Sequence, residues 1–239
     1  MNILSRKQFI NSKKHDTLCI MGCGYSINNI SDKKWKFVQE STDQFTVNWF
    51  CLGKTPIIPT YYLIDEQGTN RIKAKNDTTH KDFINHLKCR VAIVKDRKNS
   101  SDAFRYAEHL EDIKFDGVIT YNSAKVGSIC NCKDVDVLSD GFVFMNGCMS
   151  NAFHFAVWMK YKTVIFIGVD LYDSRYYWMP YDEEWSVIRR SGININTRHG
   201  QANNFINMAR EAKGEFKDMI WMVENNQSLL AEVIPVWDY

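Results

Sequence analysis

The chain has 239 residues, with 30 basic against 28 acidic side chains and 13% aromatic residues. So balanced a charge supplies no field for nucleic acid or an anionic membrane, and the length suits one large domain or a domain with a lid. The aromatic content belongs to a packed globule with a ligand cleft, not to a disordered chain.

No run approaches the roughly 18 apolar residues of a membrane helix, and the opening MNILSRKQFINSKKHD lacks a signal peptide's apolar core. A cytoplasmic protein is expected. The seven cysteines form no disulfide framework. Cys130 and Cys132 are a lone C-x-C, a weak metal signal without a second pair, and the others read as small core residues in a reducing compartment. The short basic runs Lys13-Lys14 and Lys95–Lys98 read as solvated surface.

In chain order, the first strand is expected at Thr17–Met21 (TLCIM). It runs into "GCGYS", Gly22 to Ser26. Two glycines just past a strand admit a ligand's phosphate close to the backbone; they equally suit a tight turn with Ser26 as a helix cap. A third glycine for a dinucleotide site and a Lys-Ser/Thr for a Walker loop are both missing. Strands follow at Gln44–Phe50 and Thr60–Ile64, with Pro56 and Pro59 marking the loop between them. Then come a helix at His80–Leu87, a strand at Arg90–Val94, a helix at Ser101–Leu110 and a strand at Gly117–Tyr121. The helix Ser150–Lys160 carries His154 on its apolar face, where it reads as core. His15, His80, His86 and His109 lie on polar segments and read as surface.

The strand Thr163–Ile167 is followed by Gly168, which lets a ligand approach, and by Asp170, where α/β folds place binding carboxylates. Asp170 and Asp173 are spaced D-x-x-D, a poor match to the D-x-D metal pair of sugar-nucleotide enzymes. Tyr172, Tyr176 and Tyr177 offer phenol donors to a phosphate, or pack. Residues 173–199 are polar and aromatic without a period, and read as a lid. Arg198-His199-Gly200 closes that stretch just before a helix at Gln201–Lys213. His199 reads there as a general base exposed to substrate, or as a neighbour of the helix start. Met219–Val223 is the last strand. Short apolar strands alternating with helices predict a single α/β domain. Its sheet is Rossmann-like and mostly parallel, with helices on both faces, and the lid covers its carboxyl edge.

These pieces in this order resemble the bacterial sialyltransferases of glycosyltransferase family 42. The matching residues are "GCGYS" (22–26), "VNWF" (47–50), "KYKTVIFIGVDLY" (160–172), "RHG" (198–200) and the closing "NNQSLLAEVIP" (225–235). The resemblance implies transfer of a sugar, sialic acid in that family, from a CMP-sugar to a glycan hydroxyl. The transfer would invert configuration and need neither metal nor cofactor. It implies Gly22, Gly24 and Ser26 at the donor, with Asn48, Asp65, Gly168 and Asp170 beside them. Tyr172 with Tyr176 or Tyr177 would meet the leaving phosphate, and His199 would be the base. Partners are then a nucleotide sugar and a glycan acceptor; homo-oligomerisation is left open. Cys23 and Tyr25 stand where the family has Asn and Pro, Met145 near an expected arginine and Cys148 near a serine. Those departures bear on the sugar and on activity. The 6-hydroxymethylpterin pyrophosphokinase-like and motility-associated glycosyltransferase proteins share the glycine loop and the G-x-D strand. A pyrophosphokinase-like phosphotransferase and a non-catalytic nucleotide-binding protein are therefore the alternatives.

Overall fold

The computed structural model describes residues 2–64, 86–95, 115–121, 125–126, 128–144, 148–171, 177 and 195–239, with backbone alone at 48–49, 95, 125–126, 144 and 195–203. Its elements are α1 (Arg6–Ile10), β1 (Thr17–Met21), α2 (Asp32–Ser41), β2 (Asp43–Val47), β3 (Tyr61–Ile64), β4 (Val91–Lys95) and β5 (Gly117–Tyr121). Then follow β6 (Lys125–Val126), β7 (Val143–Phe144), α3 (Cys148–Trp158), β8 (Thr163–Ile167), α4 (Ile195–Glu215) and β9 (Ile220–Val223). Short 3-10 helices occupy Tyr25–Asn29, Asn48–Leu52, Ile129–Lys133 and Leu229–Glu232.

Seven strands form one sheet in the order β5-β4-β3-β2-β1-β8-β9, and every pair in it is parallel. The expected fold class is therefore present. Parallel strands are covered on both sides, and the side chains of β1 show why. Leu18 and Ile20 point into one cluster with Phe9 of α1, Phe153 and Phe155 of α3, and Phe205 and Met208 of α4. Cys19 and Met21 point into the other, with Val38 of α2, Ile27 and Trp237. Helices thus lie on both faces. The two-stranded β6–β7 ribbon stands apart from the sheet.

Every strand expected from the sequence is present, within two or three residues at its ends. Two departures concern the site. The run Gln44–Phe50 stops being a strand after Val47, and Asn48–Leu52 winds into a 3-10 helix. The helix expected from Gln201 begins at Ile195, so α4 takes in the last five residues of the expected lid. The expected helix at Ser101–Leu110, that at His80–Leu87 up to its last two residues, and the lid apart from Tyr177 and 195–199 lie outside the described residues. No described helix is long and apolar enough to cross a membrane.

The two edges of the sheet are extended by short segments of chain. Ile3 bridges Val118 of β5, with Leu4 N–H donating to Val118 O and Val118 N–H to Asn2 O, both at 2.8 Å. Val236 bridges Val223 of β9, with Trp237 N–H donating to Val223 O at 2.7 Å and Val223 N–H to Pro235 O at 3.0 Å.

Candidate functional site at the carboxyl edge

Neighbouring strands β1 and β8 end level with each other, Met21 opposite Ile167. From there β1 leads to α2 on one face, and the chain after β8 continues to α4 on the other. This is the strand-order reversal at which open α/β sheets hold ligands. Here the two turns are tied together. Gly22 N–H donates to Ile167 O and Gly24 N–H to Gly168 O, both at 2.8 Å. A methyl on Gly22 would overlap the Gly168 carbonyl oxygen, and one on Gly24 would stand 2.5 Å from Asp170 Oδ2. The glycines are thus required by the approach of the two turns, and their N–H groups are already satisfied.

The turn after β8 goes left-handed twice, at Gly168 (φ 64°) and Leu171 (φ 62°). For leucine that conformation costs about 1–2 kcal/mol. Between them Asp170, 3% exposed, reaches across to the other turn. Its Oδ2 accepts the Ser26 N–H at 3.0 Å, and Oδ1 accepts the Ser26 hydroxyl and, at 3.1 Å, Nδ2 of Asn225. A carboxylate here satisfies an orphan N–H in the first turn of the Tyr25–Asn29 3-10 helix. The sequence reading offered Ser26 as a cap; the structure gives that part to Asp170, and both donors of Ser26 go to it. Ser228 fixes the same turn from the other side, its hydroxyl donating to Val169 O at 2.6 Å.

The backbone of Asn48 follows directly on β2 and opens the 3-10 helix Asn48–Leu52. Asp65, Tyr172 and Tyr176 lie outside the described residues. Tyr177 is buried, and its hydroxyl donates to the Phe50 carbonyl while its ring packs on Phe50 at 5.5 Å. Its N–H donates to Cys23 O at 3.1 Å, and its carbonyl accepts from Asn28 Nδ2 at 3.0 Å. This phenol anchors the chain after β8, and its proton is directed into the protein instead of toward a phosphate. Burial pushes the thiols of Cys23 and Cys51 upward, so both are neutral.

His199 lies inside α4 rather than ahead of it. Phe205 of that helix packs on Phe166, one residue from the end of β8. Helix α4 runs antiparallel to the strands, so His199, six residues earlier, stands about 9 Å further toward the carboxyl edge. His154 is fully buried, as expected: Nδ1 accepts from Val143 N–H at 2.9 Å and Nε2 stands 3.1 Å from Val135 O. Those partners require the neutral ring with its proton on Nε2, and burial lowers its pKa. Cys130 is exposed and Cys132 buried; among the described residues no group of three His, Cys, Asp or Glu is arranged to hold a metal.

A cleft of about 670 Å³ opens on the far flank of the Ser26–Asp170 bridge, between the start of α2 and the segment after β9. Ser26 and Asn225 line it, as does the ion pair of Lys34 with Glu224 at 2.9 Å. Asn225 and Ser228 belong to the closing "NNQSLLAEVIP" segment that carries part of the resemblance, but the sequence reading assigned no role to either of them, nor to Glu224 just before it.

No protein-family model matches the chain, and no curated protein matches it in sequence. Solved structures do. The monofunctional alpha-2,3-sialyltransferase Cst-I from Campylobacter jejuni is 16% identical and superposes with a TM-score of 0.52, over 99% of this chain and 82% of that one. The sialyltransferase CstII from Campylobacter jejuni, solved with the substrate analogue CMP-3FNeuAc, is 14% identical with a TM-score of 0.52, over 92% and 86%. CstII with a trisaccharide acceptor and CMP gives 14% and 0.50, over 92% and 85%. At this identity the shared property is the fold: the chain has a sialyltransferase-like α/β fold.

Proposed function

We propose that this protein is a glycosyltransferase that takes its sugar from a CMP-sugar, sialic acid being the sugar best supported. The observation carrying the reading is the likeness of fold, over nine-tenths or more of the chain, to sialyltransferases solved with CMP or a CMP-sugar analogue. Four of the five motifs that prompted the resemblance sit at the carboxyl ends of the adjacent strands β2, β1, β8 and β9, which supports it further. In this reading the donor lies over the ends of β1, β2 and β3, beside Gly22, Gly24, Asn48 and Asp65. Gly168 and Asp170 shape the turn beneath it. Because Asp170 engages both donors of Ser26, Ser26 acts by holding the turn, and the leaving phosphate is met by the phenols of Tyr172 and Tyr176. His199, carried on α4 toward the same edge, takes the proton from the attacking acceptor hydroxyl. Inversion follows from a single displacement. The charge that develops on the phosphate is met by hydroxyl donors and needs no metal.

The test is a thermal-shift series with CMP, ATP with Mg²⁺, UMP and GMP, followed by turnover with CMP-sialic acid. CMP alone at 100 times its Kd should stabilise the fold by about 2.7 kcal/mol. His199→Ala should then lower kcat by about 10²–10⁴-fold with CMP affinity unchanged, and chelation by EDTA should leave turnover intact. Stabilisation by ATP with Mg²⁺ and not by CMP would replace this reading with the phosphotransferase.

A further inference from the structure

The cleft beside the Ser26–Asp170 bridge has a different chemistry from a nucleotide site. Eight of its ten lining residues carry polar or charged side chains. Its fixed charges are one ammonium, Lys34, against two carboxylates, Glu224 and Asp238, with the carboxylate of Asp170 behind Ser26. Lys34 is already committed to Glu224, and that pair is largely withdrawn from water, with side chains 19% and 11% exposed. A phosphate brought here meets uncompensated negative charge.

What the cleft does offer is carboxamide. Asn29 stands on one wall and Asn226 on the other, both exposed. A carboxamide presents a donor and an acceptor side by side, the pairing that neighbouring hydroxyls on a sugar ring require. The apolar part is small, Val236 and the edge of Trp237, enough for one C–H face of a ring and too little for the side chains of a peptide. The volume lies within the range of small-molecule sites. The walls are also set in advance. Trp237 is held by Val223 at 2.7 Å and packs on Phe37 at 5.4 Å; Asn225 is held by Asp170, and Gln227 N–H donates to Asn225 Oδ1 at 2.9 Å. The floor of the cleft is thus fixed before a ligand arrives, and the ordering cost falls on the exposed carboxamides alone.

We infer that this cleft is a saccharide-binding subsite, for a neutral sugar, separate from the place of the nucleotide. The choice of a sugar among neutral hydroxyl-rich ligands rests on the glycosyltransferase reading; the exclusion of an anion does not. Helices α3 and α4, and with them His199, lie on the opposite face of the sheet, so the subsite holds a sugar away from the transferring centre.

Saturation-transfer NMR with lactose and the methyl glycosides of glucose, galactose, N-acetylglucosamine and N-acetylgalactosamine tests this. At least one sugar should give a saturable signal that survives excess CMP. Binding should weaken about tenfold in Asn29→Ala/Asn226→Ala, two exposed positions whose loss leaves the core untouched. Silence across all five sugars, displacement by CMP, or an unchanged signal in the double variant overturns the subsite. CMP stabilisation, read by thermal shift on the same wild-type and variant samples, reports the nucleotide reading independently of the sugars.

Discussion

Asp170 shows how much one carboxylate can organise. It accepts from Ser26 twice and from Asn225 once, joining the turn after β1, the turn after β8 and the segment after β9. Asparagine in its place loses the charge-assisted character of three bonds and turns an NH₂ toward at least one donor. Asp170→Asn should lower the unfolding free energy by about 2–4 kcal/mol in urea titrations, and Ser26→Ala by about 1–2 kcal/mol. Near-equal losses in the single and double variants would show that the bond acts as one unit; simple addition would show independent contributions. At the same scale, His154 ties α3 to Val135 and Val143 through a neutral ring with a depressed pKa. Below about pH 6.5 the unfolded chain takes up a proton that the folded chain refuses. This contribution is complete above that pH and declines as the pH falls toward the folded value. Unfolding free energy should therefore drop between pH 7 and 5, by up to about 1.4 kcal/mol per pH unit, and His154→Gln should flatten the slope. Of this, only the burial of His154 was readable from the residues alone. Asp170 looked like a binding carboxylate because its partners lie 144 and 55 positions away, and only folding brings them to it.

Among the elements, the strands were legible and the helices less so. A strand buried on both faces is written as an unbroken apolar run, and β1, β3, β4 and β8 are such runs. Helix α2 was missed because DKKWKFVQES buries only Val38 completely. Its start is set by Ser31, whose hydroxyl accepts the Lys34 N–H at 3.3 Å, and its end by Thr42, bonded back to Val38 O at 2.7 Å. The start of α4 was misplaced because "INTRHG" mixes β-branched residues and a glycine, all weak helix formers. The end of β2 was overrun because its apolar character continues through Trp49 and Phe50, which form the next turn. What joins the elements on the α3–α4 face is aromatic. Phe153 of α3 meets Phe166 of β8 at 4.8 Å, Phe205 of α4 at 5.1 Å and Trp221 of β9 at 5.1 Å. Phe153→Ala empties the meeting point of four elements and should cost about 3–5 kcal/mol, measured by the same urea titrations. Phe153→Leu should recover more than half of that loss.

For the whole molecule, the sheet is continued at each edge by the chain itself, Asn2–Leu4 on β5 and Pro235–Trp237 on β9. Deleting residues 2–4 uncovers the N–H and carbonyl of Val118 together with the groove at Gly117 that Leu4 fills. The shortened chain should form larger, concentration-dependent assemblies than the full chain in light scattering, because an open edge templates further strands. The same covering limits how another protein can approach. A peptide that recognises its target by lying down as one more strand finds the middle of both outer rungs already taken. Such a visitor must first peel away the molecule's own chain, losing 2.8 Å bonds to gain equivalent ones, a nearly even exchange. Recruitment is thereby steered away from the middle of these two rungs and toward side-chain surfaces.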